Sequence, residues 1–146
     1  AELSAWPRYD LHHLSQDTSA LFGSPDALTG PFSAADAREA ARTSAANLYH
    51  AALHSYLYDP APAKAAALPA LLKSMFFVLR SAQFARTGEC SPSKAALLSE
   101  LSGEERELLA ASLRPGPLPK DGGGIDPLLL GLVQRCSLLL NEFGPR

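Results

Sequence analysis

Residues that favour β-strands are almost absent from this chain. It contains only 2 Val, 1 Ile and 4 Thr among 146 residues, against 25 Ala and 26 Leu. A β-sheet needs β-branched and aromatic side chains on its pleated faces, and this chain has too few β-branched residues to build a sheet of any size. The composition therefore predicts an all-α fold, which we expect to be a four- or five-helix up-down bundle with an irregular N-terminal arm.

Length and charge narrow the class of protein further. A chain of 146 residues suits one domain. Its formal net charge is −2, whereas domains that bind nucleic acid by bulk charge are strongly basic. No uninterrupted run of about 18 apolar residues occurs, so we expect no membrane span and a cytoplasmic protein. Cys90 and Cys136 are expected to be free thiols, and a single disulfide between them is the open alternative.

The chain divides into two parts by its helix signals. Residues 1–32 are punctuated by proline and glycine and are expected to form an irregular arm or linker. Short helices are predicted within this arm at 9–16 and around 18–22. Residues 33–146 are expected to form the helical bundle domain.

Capping residues and prolines mark the helix boundaries in the bundle. Ser33 followed by Asp36 is a capping-box-like start, and Gly88 suits a left-handed C-terminal position. Ser91 followed by Pro92 is typical of a cap and a first helical residue. The predicted helices run over 33–58, over 62–87 with a kink or a break at Pro69, and over 91–101, 103–113 and 126–143.

A polar stripe follows the first long helix. Asn47, His50, His54 and Tyr58 are three or four residues apart and share one helix face. Such a stripe beside an apolar face suits the wall of a ligand groove, and an ordinary solvated face is the alternative. The pair His50 and His54 has the spacing of a metal chelate, but the neighbouring sequence offers no third ligand. We therefore expect no metal site.

Arg80 is a cation in an apolar setting. Phe76, Phe77 and Phe84 lie within one helical turn of it, and a buried guanidinium is costly unless it finds a partner. Lys73 lies two turns earlier on the same face, so Lys73 and Arg80 together are candidates for contacting phosphate groups. The alternative is a structural role for Arg80, in an ion pair with an acid such as Asp59 or Glu100.

The chain displays no complete set of catalytic residues. It has no nucleophile elbow, no phosphate-binding loop and no dinucleotide-binding fingerprint. It also lacks the paired, spaced aspartates that bind catalytic metal ions in nucleotide transfer. We therefore predict no catalytic residue in this chain.

Several stretches resemble a family of bacterial predicted nucleotidyltransferases of the polymerase-β type. In that family a helix bearing lysine, aromatics, leucine and arginine precedes an alanine-rich turn, a proline and a leucine-rich helix, and Lys73, Arg80 and Pro92 occupy those places here. The resemblance implies that the chain is the C-terminal HEPN-like helical domain, without the N-terminal catalytic domain. It further implies no cofactor in this chain, with Mg²⁺ expected only in the catalytic domain. The matching stretches are 47–50, 71–85, 91–101, 9–12 and 21–25.

Two functions follow as hypotheses. The first is a non-catalytic accessory domain that helps a nucleotidyltransferase to position a nucleic-acid or nucleotide substrate. Its ligand-binding residues would be Lys73, Arg80, His50, His54, Asn47 and Tyr58, and its protein partner would be the N-terminal catalytic domain. The second is a helical interaction or dimerisation domain without a ligand, because the last helix carries leucines on more than one face. An independent metal-dependent helical hydrolase is a third and weaker interpretation.

Overall fold

The computed structural model describes residues 7–18, 30–113 and 122–144. Within these ranges all regular secondary structure is helical, which confirms the all-α bundle predicted from the composition. The helices are α1 (Arg8–Asp17), α2 (Ala34–Tyr58), α3 (Ala61–Thr87), α4 (Lys94–Glu100), α5 (Gly103–Leu113) and α6 (Gly122–Phe143).

The centre of the bundle consists of α2, α3 and α6, and α2 packs against both of the others. The face that α2 turns inward is built largely from alanine, and a methyl group at each of these positions lets neighbouring helices approach closely. We call these buried residues the alanine seam of α2. Its members are Ala37, Ala40, Ala41, Ala45 and Ala52, each 0% exposed.

Larger side chains from α3, α5 and α6 fill the space around the seam. Burial of such apolar side chains is the main stabilising term for a bundle of this kind, at about 1.5–3 kcal/mol for each fully buried leucine. The largest of them are Leu68, Leu72, Met75 and Leu79 on α3, Leu109 on α5, and Ile125, Leu129, Leu132 and Leu139 on α6.

The predicted start of α2 is confirmed in detail. The backbone N–H of Asp36 donates to Ser33 Oγ at 3.2 Å, and the backbone N–H of Ser33 donates to Asp36 Oδ2 at 2.9 Å. Two of the unpaired N–H groups at the helix start are thereby satisfied. The Ser33 hydroxyl also donates to Asp36 Oδ2 at 2.7 Å, and this bond, together with the one from the Ser33 backbone N–H, holds the pKa of the Asp36 carboxyl below its ordinary value.

The sequence allowed either a kink or a break at Pro69, and the structure has one helix that continues through it. α3 is continuous from Ala61 to Thr87, and Pro69 lies inside it, so no break occurs there. The predicted end is confirmed: Gly88 has φ 78°, and its N–H donates to the carbonyl oxygen of Phe84 at 2.8 Å. Glycine suits this position because a positive φ places no Cβ against the backbone.

Two predicted helix starts are wrong. α4 is capped by Ser93, whose Oγ accepts from the N–H of Ala96 at 3.1 Å, and not by Ser91. α6 begins at Gly122 and contains Pro127, whereas the start was predicted at 126. Burial of Ile125 in the core favours the earlier start, since tertiary packing outweighs the low helix propensity of glycine.

The predicted arm contains one helix that the structure describes. α1 corresponds to the helix predicted at 9–16. For the helix predicted around 18–22, Thr18 has an extended backbone with φ −128° and ψ 152°, and the remaining residues lie outside the described part of the chain.

A charged network closes one end of the bundle. The Arg86 guanidinium on α3 donates to both carboxylate oxygens of Glu105 on α5, at 3.0 Å each, and to Glu142 on α6 at 2.7 and 2.8 Å. The ring of Phe143 lies beneath two guanidinium groups, with 5.4 Å from its centroid to Arg38 and 5.8 Å to Arg86. The two carboxylates raise the pKa of Arg86 above its ordinary value.

The apolar composition of α3 is explained by its burial. By length and composition alone α3 is a candidate membrane span, whereas no such span was expected from the sequence. However, 56% of its most apolar window lies inside the bundle, and the buried core helix of a globular protein meets the same criterion.

Candidate ligand groove

A groove of about 510 Å³ opens between α1, α2 and α3, and we call it the α1–α2–α3 groove. Its volume falls within the range of roughly 300–1,000 Å³ that is typical of small-molecule sites. The apolar residues that line it are Leu48 and Ala51 of α2, and Leu71, Phe77 and Val78 of α3. The polar or amphipathic residues that line it are Tyr9, Asp10 and His13 of α1, Ser44 and Asn47 of α2, and Ser74 of α3.

The α1 wall is held in place by aromatic rings. The imidazole of His12 stacks on Phe32, with 4.1 Å between ring centroids, and tilts against Phe84 at 5.6 Å. The imidazole of His13 meets the edge of Phe77 at 5.1 Å. Adjacent residues on a helix point about 100° apart, so the two histidines contact different parts of the bundle surface.

Polar contacts secure the start of α1. The Arg8 guanidinium donates to the carbonyl oxygen of Pro31 at 2.6 Å and lies 3.4 Å from Asp36 of α2. Arg8 therefore ties α1 to the beginning of α2, beside the capping box. The arm helix is thus packed on the bundle, and it completes a wall of the groove.

The groove combines a buried apolar floor with a polar rim. Leu48 and Val78 are buried, whereas Asp10 and Asn47 are exposed at the edge. Burial, together with the nearby charge of Asp10, raises the pKa of the Tyr9 phenol above its ordinary value. The rim offers hydrogen-bond donors and acceptors around a surface that suits a flat apolar ring.

The polar stripe of α2 runs out of the groove along its surface. Asn47 lines the groove, and His50, His54 and Tyr58 are exposed beyond it. The rings of His54 and Tyr58 contact each other, with 5.2 Å between centroids. The stripe from Asn47 to Tyr58 is about 16 Å long, from 1.5 Å of rise per residue.

Arg80 lies inside the bundle and is 1% exposed. Its Nε donates to the carbonyl oxygen of Ser91 at 3.1 Å, and its guanidinium lies 5.6 Å from the ring centroid of Phe76. The hydroxyl of Ser91 in turn donates to Glu100 at 2.6 Å. Arg80 and Glu100 therefore hydrogen-bond to two different groups of Ser91, and both contacts hold the segment between α3 and α4.

The structure does not bring Lys73 and Arg80 together as one cationic surface. Lys73 is exposed, next to the groove residue Ser74, and forms no ion pair with any described residue. The two side chains share a helix face by spacing, but Arg80 is buried beside Ser91, in the segment that precedes α4, whereas Lys73 is exposed. Lys94 of α4 lies over the same Phe76 ring, at 5.1 Å.

Within the described ranges, no group of three or more histidine, cysteine or acidic side chains is placed to hold a metal ion. Cys90 and Cys136 are both free thiols, so the disulfide left open by the sequence is not formed. Cys136 is buried, and burial raises the pKa of its thiol to about 12.

Asn47 was predicted from the sequence as a site residue, whereas the other polar residues that line the groove were not. Asp10, His13, Ser44 and Ser74 are isolated polar residues on separate helices, so no local spacing links them. Aromatic residues gave a weak signal for this site. Phe77 lies in an apolar stretch, and two adjacent histidines in a short helix favour a helix that packs on the rest of the protein.

Comparison of the chain with protein-family models, with curated proteins and with solved structures finds no match in any of the three. The resemblance to nucleotidyltransferases therefore rests on the residues quoted for it.

Proposed function

We propose that this chain is a non-catalytic helical binding domain that helps a nucleotidyltransferase to position its nucleotide or nucleic-acid substrate. The α1–α2–α3 groove carries this proposal, because it is a ligand-sized recess with an apolar floor and a polar rim. The resemblance of 71–85 and 91–101 to the helical domain of such enzymes supports the kind of ligand.

The groove chemistry suits the base of a nucleotide. Aromatic side chains stack on bases with little sequence preference, and Phe77 and Tyr9 both line the groove. Asn47 and Asp10 at the rim supply a mixed donor and acceptor set for the edge of a base. Among the described residues that line the groove there is no lysine or arginine, so the phosphates would lie outside this part of it, and exposed Lys73, next to Ser74 in the sequence, is a cation available to them.

The exposed stripe gives a place for a longer substrate. His50, His54 and Tyr58 continue from the groove along α2, and aromatic and imidazole rings at such spacing support single-stranded nucleic acid. A nucleotide bound in the groove and a strand running along the stripe would occupy one continuous surface.

Calorimetric titration with the four ribonucleoside triphosphates and a short single-stranded oligonucleotide tests this proposal. We expect at least one of these ligands to bind with a dissociation constant of about 1 mM or tighter. Ala51→Phe should weaken binding at least about tenfold, because a ring at this exposed groove position fills the recess.

Ala46→Phe is the matched control. Ala46 is exposed on the same helix but does not line the groove, so the same enlargement there should leave binding unchanged. Absence of binding by every probe, or equal binding by the wild type and Ala51→Phe, would refute the groove as the nucleotide site.

A further inference from the structure

The outer face of α6 is a narrow stripe without charge. Residues spaced three and four apart fall on one line along a helix, and all five members of this line are exposed to solvent. Two of them are leucines, with Leu130 40% and Leu138 52% exposed. We call this set the α6 stripe, and its members are Pro127, Leu130, Gln134, Leu138 and Asn141.

The charged residues of α6 all have partners on other helices. The pairs are Asp126 with Lys64 at 2.8 Å, Glu142 with Arg86 at 2.7 Å, and Arg135 with Glu104. The side chains of Asp126 and Glu142 stay 43% and 41% exposed, next to the two ends of the stripe. Covering the five residues of the stripe therefore buries no unpaired charge of α6, and an unpaired charge is costly to bury.

Shallow recesses flank the stripe on both sides. One, of about 500 Å³, lies between α5 and α6, with Leu108, Ala111 and Gly131 on its wall, and Glu104 and Glu107 also line it. The other, of about 440 Å³, lies beside Leu138, and Glu104 lines it as well. The uncharged stripe thus has polar and acidic surface on both sides, as in an interface with an apolar centre and a polar rim.

The stripe is symmetric about Gln134, and this symmetry indicates its partner. Leu130 and Leu138 lie four residues before and four residues after Gln134, and Pro127 and Asn141 lie seven before and seven after. In an isologous dimer each residue meets its symmetry mate across a two-fold axis. A second copy lying antiparallel on the first would place Leu130 against the partner's Leu138 and each Gln134 against its own equivalent.

We propose that the α6 stripe is the interface of a two-fold symmetric dimer, with α6 packed antiparallel on α6 of the second copy. An amide side chain carries both a donor and an acceptor, so two Gln134 side chains can hydrogen-bond to each other across the axis. Gly131 would face Ser137 of the second copy, and these small residues leave the space that the leucines need.

The size of the face around α6 is close to what a stable dimer needs. α6 has 22 residues, which makes it about 33 Å long. With the flanking recesses on α2 and α5, the face is on the order of 20–25 Å wide, since packed helices lie 8–10 Å apart. Such a face approaches the roughly 800 Å² per partner of a standard stable interface.

The dimer is tested by the molecular mass in sedimentation equilibrium over a range of protein concentrations. The wild type should convert from monomer to dimer as concentration rises, and Leu138→Glu should raise the dissociation constant at least about tenfold. Leu57→Glu is the matched control, because Leu57 is a leucine of α2 that is 56% exposed and lies outside the stripe. A wild type that is monomeric at all concentrations, or a dimer equally sensitive to both variants, would overturn the proposal.

A cross-linking experiment tests the register. In a Cys90→Ser background, Gln134→Cys should form a disulfide-linked dimer on mild oxidation, because the residue lies on the two-fold axis. Asn141→Cys lies on the same stripe, but its two copies would be about 21 Å apart along the helix axis and should not cross-link. Equal cross-linking of the two variants would exclude the antiparallel register centred on Gln134.

Discussion

The imidazole of His12 lies parallel to the ring of Phe32, with an interplanar angle of 6° and 4.1 Å between the ring centroids. This stack joins α1 to the segment that precedes α2, and so it fixes one wall of the α1–α2–α3 groove. Because α1 packs on the bundle through a few rings and the Arg8 contacts, its local stability should be lower than that of the core helices.

Replacing Phe32 with alanine should release α1 from the bundle. A stacked aromatic pair contributes about 0.5–1.5 kcal/mol beyond its buried area, so amide hydrogen exchange in α1 should accelerate about tenfold while exchange in α3 stays the same. Tyr58→Ala removes an exposed aromatic from a ring pair elsewhere and serves as the control. Unchanged exchange in α1 would show that the stack does not hold the helix.

Removing the Arg86 guanidinium should destabilise the whole bundle. Arg86→Met leaves the carboxylate of Glu105, whose side chain is 10% exposed, without its bidentate partner. We expect the free energy of unfolding to fall by about 2–3 kcal/mol in urea titrations. Arg42→Met is the control, because the Arg42–Glu39 pair is exposed on one helix and should contribute less than about 0.5 kcal/mol. Similar losses in both variants would contradict the importance of the network.

Acid should weaken the same network through Glu142. Its hydrogen bonds with Arg86 hold the pKa of the Glu142 carboxyl below its ordinary value, which is about 4.3 in an unfolded chain. The unfolded state then binds the proton more readily, so this stabilisation is present above about pH 4.3 and is lost as the pH falls through the lower folded-state pKa. In Glu142→Gln, the free energy of unfolding should therefore depend less steeply on pH in this acid range. Glu107→Gln, at an exposed position of α5, is the control, and an equal flattening in both variants would contradict the assignment.

The two thiols should differ in reactivity. Cys136 is buried and burial raises the pKa of its thiol to about 12, so it should resist a thiol reagent at pH 8 while the protein is folded. Cys90 is only partly buried, and it should react. The expected count is one reactive thiol in native protein and two in denaturant. Two reactive thiols in the native state would show that α6 opens readily.

We expect Arg80 to stabilise the fold and Lys73 to contribute to nucleotide binding. Arg80→Met should lower the free energy of unfolding by about 1–3 kcal/mol, because the Ser91 carbonyl loses its buried donor. Nucleotide binding by the folded variant should persist, since the Arg80 side chain is 1% exposed. Lys73→Ala should show the reverse pattern, with ordinary stability and weaker nucleotide binding. Loss of binding by folded Arg80→Met would contradict this division.

Local signals predicted the helices well, and tertiary contacts explain the exceptions. The capping box at Ser33 and the left-handed end at Gly88 depend only on neighbouring residues, so both were readable from the sequence. Ser91 looked equally suited to cap α4. Its carbonyl and hydroxyl instead bind Arg80 and Glu100, and Ser93 takes the cap.

The residues of the groove were harder to predict from the sequence, because they lie on three different helices. Asn47 was identified from a stripe on one helix, whereas Asp10 and His13 join the groove only when α1 docks on α2 and α3. The phenylalanine neighbours of Arg80 indicated that its guanidinium needs a partner, but they left open whether that partner is a phosphate group or a group of the protein. The separation of Lys73 from Arg80 depends on the burial of Arg80 beside Ser91, and spacing along α3 does not encode that.

The alanine seam of α2 has a consequence for how the groove selects a ligand. A methyl group has no rotamers, so the α2 side of each contact with a neighbouring helix cannot be adjusted by a side chain that changes rotamer. The α2 and α3 walls of the groove are therefore rigid, whereas the α1 wall is held by ring contacts that can be broken. A ligand that fits poorly between α2 and α3 can bind only if α1 is displaced. The affinity for such a ligand would then depend on the free energy needed to displace α1.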